Sequence, residues 1–291
     1  MRIEGKKAVM FRVSNHLLRQ WIVCGCATFI SVALPAWAAS LVQVQGQTDS
    51  GSSAKVNRIE NTIADIKEGK FFLLDGIEAI AVTAPSGRAD VIPLLEAQFG
   101  SNQDISEKDR IAGSLVRLGD KDDTYWSFLV AQAIPAAEDD APFFLRVDEK
   151  GKMTKEPSPD FLKWAADHHL SANQAFEKEF TEEPGAILML AFAQDARAIP
   201  ILRRALASEN FLIASEAAKG LADLGDKDSA PLIIEACSKA PADAATQIAT
   251  SLVYFDSQAA KRAFDLYVPE PYASMARKGR SDGQTALGSI P

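Results

Sequence analysis

The fold class predicted for this chain is an all-α solenoid, a stack of antiparallel helix pairs with one non-repeat insert, and three observations predict it. Apolar positions recur at an interval of about 31 residues, within the range of repeat proteins. Leu190, Leu221 and Leu252 fall in register, as do Ala193, Leu224 and Phe255, then Ile201, Leu232 and Ala263, then Leu202, Ile233 and Phe264, then Leu206, Cys237 and Val268. Within one unit, Ala214, Ala217, Ala218, Leu221 and Leu224 follow the spacing of one helix face, and Leu232, Ile233, Ala236 and Cys237 do so for a second helix. The junction between them has its own chemistry. Gly225 suits the left-handed residue that ends a helix, Asp226 or Asp228 can cap the next one, and Pro231 falls in its first turn, as Pro200 does one unit earlier.

The turn has a second copy upstream, where Leu115-Val116-Arg117-Leu118-Gly119-Asp120-Lys121-Asp122 matches Leu221-Ala222-Asp223-Leu224-Gly225-Asp226-Lys227-Asp228 at six of eight positions. This Leu-x-x-Leu-Gly-Asp pattern, followed by Pro-Leu at this period, resembles HEAT repeats of the phycobilisome-lyase-like type over residues 90–130 and 186–268. The resemblance implies right-handed stacks of helix pairs used as protein-binding scaffolds. It implies no lyase activity, since no residue matches a lyase-specific site.

From the N-terminus, residues 1–38 read as a signal peptide: Arg2, Lys6, Lys7, Arg12 and Arg19 precede a largely apolar run from Trp21 to Leu34, then Ala36-Trp37-Ala38. The run is shorter than the ~20 residues that span a bilayer, so cleavage is expected rather than anchoring. The expected location is periplasmic or secreted, with no membrane insertion after cleavage. Losing five basic residues and one acid takes the formal charge from −8 to about −12, which argues against nucleic acid as a partner. Cys24 and Cys26 leave with the leader, so Cys237 stands alone and reads as a small core residue.

Residues 39–55 are poor in apolar side chains and form a lead-in. Residues 56–134 hold the N-terminal helical repeats: a stripe of Val56, Ile59, Ile63 and Ile66, a helix over 70–82, one over 90–99 with Pro93 in its first turn, and a pair over 106–118 and 123–133. Residues 135–184 break the repeat as an insert. In it, Phe143 to Val147 suits one arm of a hairpin, Ser158-Pro159-Asp160 starts a helix, and Ser171 can cap the next. Insertions in solenoids often carry recognition, so this segment is the first candidate for function, with a packed spacer between two repeat blocks as the competing expectation. Residues 185–268 are the C-terminal HEAT-like repeats, and 269–291 are expected to be a disordered tail.

Signatures of catalysis are scarce. There is no nucleophile elbow, phosphate-binding glycine loop, Cys-x-x-Cys or His-Glu-x-x-His, and no cofactor is expected. His168 and His169 are adjacent, so on a helix they point about 100° apart and do not converge on one ion. The function read from the chain is an exported, non-catalytic protein-binding scaffold. Two other classes remain open: a metal-dependent or hydrolytic enzyme using His168 and His169 with Glu177 or Glu179, and a self-assembling envelope protein that joins through a terminal helix such as Val56 to Lys67. If the second helix of each unit lines the concave side, as the resemblance implies, then Arg203, Arg204, Glu235, Lys239, Arg262 and Asp265 face a protein partner. Phe143, Phe144 and Trp164 are the aromatic anchors expected of the insert.

Overall fold

The Leu-Gly-Asp turns close their helices in the way the glycine requires. In a computed structural model of the chain, which describes Ala81, residues 91–149 and residues 153–288, Gly119 and Gly225 hold φ at 85° and 68°. That left-handed backbone lets the Asp120 N–H donate to Leu115 O and the Asp226 N–H to Leu221 O, each at 3.0 Å, the closure of a Schellman turn. At the third such turn Gln194 takes the same conformation, with φ 56°. The described residues belong to a unit running from Leu34 to Pro291. The expected signal peptide, the lead-in, the stripe over 56–66 and, apart from Ala81, the helix over 70–82 lie outside the described residues.

Helix α1 spans Ile92–Ser101, α2 Ile105–Arg117 and α3 Asp123–Glu138. The insert follows, with β1 at Leu145–Val147, β2 at Met153–Pro157, α4 at Pro159–Asp167, α5 at Ala172–Glu177 and a π turn at Lys178–Glu182. The repeats resume with α6 at Glu183–Phe192, α7 at Ile199–Ala205, α8 at Phe211–Asp223, α9 at Ala230–Lys239, α10 at Ala242–Thr250 and α11 at Gln258–Tyr267. A last helix, α12, covers Tyr272–Gly288. The proline pattern holds: Pro93, Pro200 and Pro231 all sit in the first turn of their helices.

First helices pack on first helices, α2 on α6, α6 on α8 and α8 on α10, while α3 packs on α7 and α9 on α11. The pair α2/α3 therefore lies directly against α6/α7, and the stack runs on without a break across the insert. Polar ties cross that junction: Arg117 donates to Phe192 O at 3.0 Å, Arg197 pairs with Asp123 at 3.2 Å, and Arg204 pairs with Glu138. One apolar core threads the stack, with Leu95, Leu115, Leu129, Ile187, Leu190, Leu202, Ile213, Leu221 and Ile233 fully buried. The insert has a separate small core of Phe144, Phe161, Ala165 and Ala175. Its strands pair antiparallel, Leu145 with Pro157 and Val147 with Met153, so the hairpin expected from Phe143 to Val147 forms. Ser171 caps α5 in a reciprocal box with Gln174.

Three expectations need correction. Pro135 does not end its helix, because α3 runs through it to Glu138, and the excursion begins at Asp139. Leu232 is 39% exposed; the buried stripe of α9 is Ala230, Ile233 and Cys237, centred on Ile233 and Cys237 rather than between Leu232 and Ile233. Over residues 269–288 the expected disordered tail is replaced by α12, whose Ala273 joins the core and whose Arg280 donates to Val253 O and to the Asp256 carboxylate. No described helix is long and apolar enough to cross a membrane.

Candidate functional site

Where the insert leaves and rejoins the stack, the sequence places four charged side chains together. Asp139 follows the last residue of α3, Lys178 and Glu179 stand in the π turn, and Glu183 opens α6. A π turn inserts one extra residue into a helix and shifts the register of side chains beyond it. Here that turn sets Lys178 among three carboxylates. Its ammonium pairs with Asp139, with Glu183 at 2.8 Å and with Glu179 at 3.2 Å. The indole of Trp164, on α4, lies 5.0 Å from the same nitrogen, a cation–π contact that helps fix it. Glu179 is 1% exposed and Glu183 8%.

Asn210 completes the cluster from the far side. Its side-chain oxygen caps α8 by accepting from the Leu212 N–H at 3.1 Å, and its amide donates to Glu179 O at 2.7 Å and to Glu179 Oε2 at 3.1 Å. One buried residue thus starts a repeat helix and holds the end of the insert.

The electrostatics follow from burial. Desolvation, then the nearby Asp139 carboxylate, pushes Glu183 up to about 8, with Lys178 pulling the other way. Glu179 is also raised, by burial and then the charge of Asp139. Burial acts to raise Asp139 as well, but bonds from Glu183, Lys178 and the Ala141 N–H hold it below the usual carboxylate range. The carboxylate oxygens of Asp139, Glu179 and Glu183 come within 4.8 Å of one another, a spacing that suits a cation. The Lys178 ammonium already stands at that place and reaches all three, so the arrangement is an anchor rather than a metal centre.

The residues expected to meet a partner are dispersed. Phe144 is 2% exposed, wedged against Phe143 at 4.8 Å and Phe176 at 5.3 Å between ring centroids; it is core of the insert and offers no surface. Phe143 also meets Phe211 of α8 in a tilted contact at 4.8 Å, and Trp164 stacks on Phe161 at 6.0 Å. Both are half-buried. Arg203 is committed to the next repeat, donating to Asp226 Oδ1 at 2.7 Å and Oδ2 at 2.9 Å. Glu235 pairs with Lys239 at 2.7 Å and Asp265 with Arg277 at 2.7 Å, and these, with Arg204 and Arg262, remain exposed. Of the groups named for the metal alternative, His168 and His169 are exposed at the end of α4 and Glu177 is exposed, whereas Glu179 is buried against Asn210.

Asp226 needs a correction too. Its side chain caps no helix; burial is offset by bonds from Arg203 and Ser229, and the carboxyl stays below its ordinary value. Of the residues that matter most here, Lys178, Glu183 and Asn210 were not singled out from sequence, and Glu179 only as a candidate partner of His168 and His169. Glu177-Lys178-Glu179 reads as a solvated helix face, and only the switch from that run to Pro184, a first-turn proline, marks a boundary.

No curated protein and no solved structure matches the chain. Residues 185–253, from α6 to the turn after α10, match the family model for HEAT repeats, so this part of the stack is similar to HEAT repeats in sequence as it is in packing.

Proposed function

We propose that this chain is an exported, non-catalytic scaffold in which the HEAT-like stack is the frame and the insert presents the binding surface. One observation carries the reading: the stack closes directly across the insert, α2 and α3 against α6. A spacer would be needed only if the blocks stood apart. The insert keeps its own aromatic core and leaves Leu162 and Phe176 40% and 36% exposed beside the half-buried Trp164. HEAT repeats commonly mediate protein–protein contacts, and the exposed charges of both signs on α9 and α11 suit a protein partner better than a polyanion. Export rests on the basic, apolar and Ala-x-Ala succession of residues 1–38. The finer likeness to phycobilisome-lyase-like repeats rests on the Leu-Gly-Asp turns alone.

The test replaces residues 141–181 by a short Gly-Ser linker, which the closeness of Asp139 and Glu183 permits. Helical circular dichroism and a cooperative melt should persist. Crosslinking in the envelope fraction should then lose a discrete partner that the intact protein captures. Retention of that partner would move recognition to the repeats, and recovery of the protein from the cytoplasm alone would remove the export reading.

A further inference from the structure

The cluster at the root of the insert lacks one hydrogen, and the count shows where it belongs. The three ammonium protons of Lys178 are spent on three different carboxylates, Asp139, Glu179 and Glu183. Asp139 Oδ1 accepts from the Ala141 N–H at 2.8 Å, and Glu179 Oε2 accepts from Asn210 at 3.1 Å. Glu183 Oε2 is buried and has no donor. Buried acceptors are almost always satisfied, and an ion cluster of three carboxylates and one ammonium away from water costs far more than a neutralised one. The Asp139 carboxylate, itself an acceptor, stands close by, with an oxygen within 4.8 Å of one of Glu183.

We propose that Glu183 carries a proton that it donates to Asp139, and that this shared proton is a latch fastening the insert to the stack, released as pH rises. The two partners sit on either side of the excursion, Asp139 at its start and Glu183 at its end, so the bond closes the loop at its neck. The charged groups facing Glu183 are Asp139 from the end of α3 and Lys178 and Glu179 from the π turn. Both further acids favour retention of the proton, and the single ammonium opposes them. Burial supports the same conclusion, placing Glu183 at about 8 against an ordinary 4.5. The latch operates whether or not the insert is the recognition surface.

Linkage fixes the size of the effect. Opening releases one proton wherever the closed form holds it and the open form does not, so the opening constant rises about tenfold per pH unit between roughly pH 5 and 8 and levels off above. Amide hydrogen exchange of the full chain, corrected for intrinsic rates, reads it directly. Exchange of residues 139–147 and 172–183 should climb by that factor and stay faster than that of α8 to α10 at every pH, and Glu183→Gln should remove about tenfold per unit from the slope. If Glu183→Gln fails to fold, Asp139→Asn serves instead: its amide donates to Glu183 Oε2, the proton is no longer needed, and the slope should fall likewise. An unchanged slope in whichever of these variants folds overturns the proposal. So does exchange of these segments no faster than that of α8 to α10, which would make the opening global, or protection at pH 8.5 restored by millimolar calcium or magnesium, which would assign the cluster to a cation.

Discussion

Equivalent positions of the repeat carry opposite charges, and the contrast predicts a mutation. Arg203 lies three residues after Pro200 and bridges to Asp226 in the following turn. Glu96 lies three residues after Pro93 and meets Asp120, the counterpart of Asp226, so acid faces acid. Burial and then the Asp120 charge raise the Glu96 carboxyl, and Asp120 Oδ2 is buried without a donor. Glu96→Arg should rebuild the bridge and stabilise the fold by about 1 kcal/mol, read from urea unfolding. Arg203→Ala should cost a similar amount by stranding Asp226. Gln194, held left-handed where the other turns use glycine, gives a second case: Gln194→Gly should stabilise by about 0.5–1 kcal/mol.

At the scale of elements, α8 lies close against α6 at Gly220. A Cβ on Gly220 would stand 2.4 Å from Ala191 Cβ and 3.1 Å from Leu202 Cδ1. Alanine has the better helix propensity by up to about 1 kcal/mol, yet overpacking of this kind costs about 1–3 kcal/mol. Gly220→Ala should therefore lower the melting temperature, the opposite of what an exposed helix would show. Asn210 separates two roles. Asn210→Ala loses both the cap and the tie to Glu179, about 2–3 kcal/mol together. Asn210→Asp keeps the cap but sets an acceptor against Glu179, so any loss it shows in thermal unfolding belongs to the tie. The helix pairs and their turns were legible in the sequence because each rests on local chemistry: the αL glycines, the first-turn prolines, the 3.6-residue stripe. The phase of α9 was misread because Leu232 and Ile233 are equally apolar and only packing against α10 and α11 chooses between them. The cluster at the neck was hidden for a different reason: Asp139 and Glu183 are 44 positions apart, and nothing local announces that they meet.

For the whole molecule, pH should act with a definite sign. Glu183 is raised to about 8 and Asp109, by burial and then Asp104, to about 7, from ordinary values of 4.5 and 3.8. Each binds a proton in the folded state that the unfolded chain has released, so the stability it contributes is complete below about pH 4 and is lost as pH rises through 7 to 8. Asp195 and Asp226, held low by Arg197 and by Arg203 against burial, lose theirs as pH falls below 3.8. Stability should peak near pH 4. The urea midpoint should be higher there than at pH 8.5, with a slope approaching ~1.4 kcal/mol per pH unit for each proton, and Asp109→Asn should narrow the gap. The unbroken stack across the insert also sets how the molecule carries tension. A pull along the array passes from α3 through its contacts and ion pairs into α6 and α7, leaving the looped-out segment slack. The insert's fold is thereby shielded from strain in the frame, and on the proposed binding role a partner held there would feel a stretch only after the repeats had begun to part.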